Sequence, residues 1–159
     1  MPVVGDIQRA VEQANGRFHR LVLVVGPTGS GKTGLLRSFA AQAGRDCHNV
    51  NLEISQRMLE LTKLRRPRQA DRIFRDWIST TGNAPLVLDN LEVLFDSGLK
   101  LDPLRLLQAS SRNHTLVASW NGRIHHDVLV YAEPDHPEYR WYRSIDALIV
   151  NVGHETYNE

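Results

Sequence analysis

Eight consecutive residues, Gly26-Pro27-Thr28-Gly29-Ser30-Gly31-Lys32-Thr33, carry glycines, an amine and a hydroxyl in an order suited to a polyphosphate. Gly26, Gly29 and Gly31 let backbone N–H groups turn inward around an anion, where a Cβ would clash. The helix expected next adds unpaired N–H groups and the positive end of its dipole. Lys32 can reach β- and γ-phosphates, and Thr33 can offer its hydroxyl to Mg²⁺. Pro27, Thr28 and Ser30 complete the loop. A chance glycine turn capping a helix is the bland alternative. Its context argues against that, because the aliphatic run Leu21 to Val25 enters the loop and an amphipathic stretch leaves it.

The loop satisfies the Walker A pattern at every fixed position, and such a loop needs a carboxylate on the metal side. Asp89 follows Pro85-Leu86-Val87-Leu88 at the end of a short aliphatic strand and resembles a Walker B aspartate. A strand-terminal Asp that only caps a turn is the alternative. Thr33 and Asp89 are thus the expected metal-side residues. In the ATPase branch with an additional strand between the Walker strands, a glutamate commonly follows that aspartate. Here the position is Asn90. Glu92, or Glu53 at the end of the second predicted strand, could instead orient or deprotonate water. Asn121 resembles the polar sensor position of AAA+ ATPases, although Asn121-Gly122 also reads as a type I′ turn.

Other clusters are weighed against ordinary surface roles. Lys63, Arg65, Arg66, Arg68, Arg72 and Arg75 surround Pro67 and could meet phosphates or an acidic partner. Glu60, Asp71 and Asp76 balance them, which favours a solvated helix face. Arg123 is the best-placed candidate for an arginine finger, whereas Arg112 belongs at the opposite sheet end. In His125-His126-Asp127, adjacent strand residues would point to opposite faces and share no ion. Tyr131, Tyr139, Trp141 and Tyr142 read as cross-strand packing or an interface.

These residues need a scaffold, and the pattern supplies one. Predicted helices start near Asp6 and span Lys32–Ala43, Ile54–Leu64 (interrupted by Pro67), Gln69–Thr80 and Pro103–Ala109. Predicted strands are Leu21–Val25, Cys47–Glu53, Leu86–Leu88, Thr115–Trp120 and Ala147–Val152. A hairpin is expected around Glu133-Pro134-Asp135-His136-Pro137. Strands alternating with helices argue for a mostly parallel sheet covered on both faces. The expected fold is an α/β, three-layer P-loop core of the AAA+/ASCE type, without a full helical lid after Asn121. One domain covers 1–159: an N-terminal helix (1–16), the core (17–122) and a C-terminal hairpin with a last strand (123–159).

Composition narrows the setting. The chain has 159 residues and a net charge of +1, so no global charge favours nucleic acid or anionic lipid. Three lysines (Lys32, Lys63, Lys100) stand against sixteen arginines, which singles out each lysine. The single Cys47 excludes an intrachain disulfide. The first residues carry Asp6, Arg9 and Glu12, unlike a signal peptide. No apolar run approaches the roughly 20 residues of a membrane span. A soluble intracellular protein is expected.

Several segments together resemble the BrxF family, the small P-loop proteins of type III BREX phage-defence systems. They are Gly26 to Thr33, Leu88-Asp89-Asn90-Leu91-Glu92-Val93-Leu94-Phe95, Asp102 to Gln108 and Ala118-Ser119-Trp120-Asn121-Gly122. Tyr131-Ala132-Glu133-Pro134 and His136-Pro137-Glu138-Tyr139 follow downstream. The resemblance implies a bacterial cytoplasmic protein that acts with other BREX components against phage DNA, touching DNA directly or through those partners. It assigns nucleotide-site roles to Gly29, Gly31, Lys32, Thr33 and Asp89. Two functions are carried forward: a slow Mg²⁺-dependent ATPase whose nucleotide state controls assembly, including self-assembly, and an ATP-binding scaffold that barely hydrolyses. A small-molecule or nucleotide kinase ranks lower, because the only arginine-rich lid candidate, Arg65 to Arg72, precedes the Walker B strand. ATP is expected over GTP, since no Asn-Lys-x-Asp motif occurs.

Overall fold

The structure, a computed structural model, describes residues 1–132 and 137–153. It is an α/β fold built on a mostly parallel seven-stranded sheet with helices on both faces. In chain order the elements are α1 (Val4–Ala14), β1 (Leu21–Gly26), α2 (Lys32–Ala43), β2 (Cys47–Asn49), α3 (Val50–Met58), α4 (Arg66–Thr80) and β3 (Leu86–Asp89). Two 3₁₀ turns follow (Glu92–Phe95, Ser97–Leu99). Then come α5 (Pro103–Ser110), β4 (Leu116–His125), β5 (Val128–Tyr131), β6 (Arg140–Tyr142) and β7 (Leu148–Asn151). Among the described residues no helix is long and apolar enough to cross a membrane.

The parallel strands lie in the order β2-β3-β4-β1-β7. β1 is buried at all six positions because it is central, with β4 on one side and β7 on the other, which is why it reads as a continuous aliphatic run. β4 separates β3 from β1, so the loop after β1 and Asp89 at the end of β3 share one sheet edge across an intervening strand.

The two faces have separate cores. Ile7, Ala10, Leu36 and Phe39 from α1 and α2 pack on Val22, Val24, Val87 and Val117. Ile54, Phe74, Trp77 and Leu107 from α3, α4 and α5 pack on Leu21, Leu23, Leu88 and Ala118. The alternation of strand residues between these clusters is the two-residue period of a pleated sheet.

Several local expectations need correction. The second strand stops at Asn49, whose side chain accepts the Leu52 N–H at 3.0 Å and starts α3. Glu53 is therefore in the first turn of a helix, not at a strand end. Pro67 opens α4 within its first turn, where a missing N–H costs nothing, instead of interrupting a helix. Asp6 sits in the first turn of α1, which begins at Val4, and accepts the Val3 N–H at 2.7 Å. Asn121-Gly122 is not a turn: β4 runs straight through it to His125, held by antiparallel pairing to β5. The reversal falls on His126 and Asp127, at φ 50° and 64°, the left-handed conformations of a two-residue hairpin turn.

The expected hairpin of β5 and β6 forms, with Val130 opposite Trp141 and Leu129 opposite Tyr142. Its connecting residues 133–136 lie outside the described residues. Tyr131 stacks on Phe95 with centroids 3.5 Å apart, and Trp120 meets both edge-on. Tyr131 and Tyr142 are packing residues, as expected, and burial pushes both phenols up to about 12. Trp141 stays exposed.

Gly122 locks this ribbon in register. A Cβ there would stand 1.8 Å from the Val130 carbonyl oxygen. Gly122→Ala should therefore destabilise the chain by about 2–3 kcal/mol, read as a lowered midpoint in urea unfolding.

Candidate functional site

The loop between β1 and α2 is shaped by its glycines. Gly29 and Gly31 have φ of 83° and 96°, values that L side chains rarely adopt. A Cβ on Gly26 would stand 2.5 Å from Ser30 Oγ, so the loop closes tightly over the strand end. The Ser30 N–H donates to the Pro27 carbonyl at 3.1 Å and makes the turn. Among the described residues, nothing beyond its chain neighbours lies within 4 Å of the position a Cβ on Gly29 would take, so the crown of the loop is open there.

Lys32, first residue of α2, is only 6% exposed. Its Nζ donates to the Pro27 carbonyl at 3.0 Å. Burial holds its pKa below the ordinary lysine range, opposed by the nearby Asp89 and Glu92 carboxylates. The Ser30 hydroxyl is buried and has no hydrogen-bond partner among the described residues. A desolvated ammonium at the base of this loop is matched by an anion rich in acceptor oxygens.

Asp89 is also 6% exposed and collects three donors. Thr33 Oγ1 donates to one carboxylate oxygen at 2.8 Å. Ser119 Oγ and the Asn90 N–H donate to the other at 2.7 Å and 2.9 Å. α2, β3 and β4 thus converge on one carboxylate. The Thr33 hydroxyl and Asp89 fit a hard divalent cation of the Mg²⁺ type, which keeps several waters and takes few protein ligands. Among the described residues no group of three or more His, Cys, Asp or Glu side chains could hold a metal, so ligand oxygens and water would complete the shell.

The residue after Asp89 has a backbone reason to be asparagine. Asn90 has φ 57°, a left-handed conformation that Asn tolerates better than most residues. Its carbonyl accepts the Asn51 N–H at 2.8 Å and ties the β3 exit to α3. Glu92 begins the following 3₁₀ turn, and the Asn121 amide donates to its carboxylate at 2.6 Å. Asn121 lies opposite Gly26 in the β1–β4 register, so this polar pair flanks the loop. Of the two glutamates singled out by sequence, Glu92 is brought to the site. The Glu53 carboxylate is taken by Arg57 at 2.7 Å.

Ser119 is the residue that sequence reading passed over as an Asp89 partner. The available signal is periodicity: Ser119 interrupts the apolar run Leu116 to Trp120 and begins a polar face that continues at Asn121, two residues on. Arg123 is exposed two positions further along β4. Arg112 places its guanidinium 3.4 Å from the Phe18 ring at the opposite sheet end, as expected. Arg72 pairs with Asp76 and Arg75 with Asp71, consistent with a solvated face on α4. His126 and Asp127 form the turn already described.

No protein-family model matches the chain, and a search of curated proteins returns no match.

The buried Lys32 has a thermodynamic consequence. With a folded pKa below its unfolded value, the protonated amine disfavours the folded state at neutral pH. That penalty fades as pH rises through the folded pKa. In the absence of ligand, Lys32→Met should melt at or above wild type at pH 7, with wild type gaining relative to the variant as pH approaches 10.5, measured by calorimetry.

Proposed function

We propose that this chain binds ATP with Mg²⁺ in the loop Gly26 to Thr33 and hydrolyses it slowly. One observation carries the reading: Lys32, Thr33, Asp89 and Ser119 meet at one sheet edge beneath an open glycine loop. The loop amides and Lys32 would hold the phosphates. Thr33 and Asp89 would hold the cation and its waters. Mg²⁺ supplies charge neutralisation of the phosphate chain when bound. Calorimetric melting with saturating ATP–Mg²⁺ tests this. At about 100-fold excess over Kd a ligand adds about 2.7 kcal/mol, a rise of roughly 5–10 °C for a chain of this size. Lys32→Met should abolish that rise, and an unshifted wild-type melt would refute the reading.

Hydrolysis turns on the Glu92–Asn121 pair. Glu92 would orient or deprotonate water, with the Asn121 amide that donates to its carboxylate holding its direction. Glu92→Gln should lower phosphate release by about 100-fold or more while retaining ATP binding. The second reading, a non-hydrolysing binding subunit, is favoured by Asn90 at the position where a glutamate would directly follow the carboxylate. It predicts that wild type releases phosphate no faster than Lys32→Met. In either case the resemblance to the BrxF family supports reading the chain as a cytoplasmic member of a phage-defence system that acts with other BREX components.

A further inference from the structure

β7 closes the parallel sheet, and among the described residues it pairs only with β1. The Val152 N–H donates to the Val25 carbonyl at 2.7 Å. Backbone groups alternate along a strand, so those of Ile149 and Asn151 face away from β1, at the free edge. Edge strands are usually blunted by charge, proline or shortness. β2, the other edge of the parallel sheet, is only three residues long. Leu148-Ile149-Val150-Asn151 carries neither a charge nor a proline.

A groove of about 570 Å³ runs along this edge, lined by all four residues of β7. Its other wall is α1, through Asp6, Arg9 and Gln13, together with Met1 just ahead of the helix. α1 packs across β1 and β7 and against α2 on its inner side. Asp6 and Arg9, one helical turn apart on this wall, form an ion pair with each other.

We propose that this edge is a twofold interface between two copies of this chain, with β7 pairing antiparallel to β7. Two features select a second copy as the occupant. Paired strands lie about 4.8 Å apart. Helices seated over each β1–β7 boundary would then stand about 10 Å apart, the spacing of packed helices. In such an antiparallel helix pair, Asp6 of one copy can meet Arg9 of the other, and the reverse, so the wall is self-complementary in charge.

Sedimentation equilibrium tests the interface. Wild type should show twice the 18.0 kDa chain mass. Ile149→Pro removes an outward N–H without removing a bond to β1 and should weaken association at least about tenfold. Asp6→Lys and Arg9→Glu should each weaken self-association, whereas an equimolar mixture of the two should re-associate. Lys32→Met should dimerise like wild type, so this result is independent of nucleotide binding. A monomeric wild type at about 100 µM overturns the interface. So does a folded Ile149→Pro chain (checked by circular dichroism) with unchanged mass, or charge variants that fail to re-associate when mixed.

Discussion

A carboxylate taken almost wholly out of water at the end of a buried strand must be surrounded by donors, or its ionised form becomes prohibitively costly. Asp89 meets that condition with a hydroxyl from α2, a hydroxyl from β4 and the next backbone N–H. The contacts join the helix after the glycine loop, the central strand β4 and the exit of β3. The geometry of the whole sheet edge depends on them. Loss of either hydroxyl would leave a buried lone pair unmatched and loosen the connection between α2 and the sheet.

Around that anchor lie features that do little for folding. Lys32 is desolvated, Ser30 Oγ has no partner among the described residues, and Gly29, Gly31 and Asn90 occupy left-handed backbone conformations. The desolvated amine costs stability in the free chain, and an anion held in the loop would relieve that cost. A polyanion would accept from the loop amides and draw the Lys32 pKa back up. The same groups explain why an open loop stays compatible with a well-packed core: the cores on either face lie beneath the edge, not within it.

β4 has two roles in this arrangement. Its first half is a buried parallel strand that supplies Ser119. Its second half leaves the parallel sheet and becomes the first strand of an antiparallel ribbon. Asn121 stands at the changeover, opposite Gly26, and aims its amide at Glu92. The aromatic cluster of Phe95, Trp120 and Tyr131 holds the ribbon against the turn that carries Glu92. Packing of large rings thus sets the position of a polar pair beside the loop.

The glycine loop, its flanking strand and helix, and Asp89 were legible in the residues themselves, because a tight turn, a buried strand and a helix start are dictated within a few positions of chain. So were the Asp102-Pro103 helix start and the last strand. Glu53 lies in a helix and not at a strand end because Asn49 caps α3 and Val50, Ile54 and Met58 bury its inner face, which the alternating pattern of Cys47 to Glu53 does not announce. Asn121-Gly122 has the composition of a turn, and only pairing with β5 keeps it extended. Tertiary structure alone decided the strand order, the choice of Glu92 over Glu53 and the role of Ser119. Those contacts join residues 29 or more positions apart, as in Asn121 to Glu92, Ser119 to Asp89 and Asp89 to Thr33, where local pattern carries no information about which strand will lie beside which.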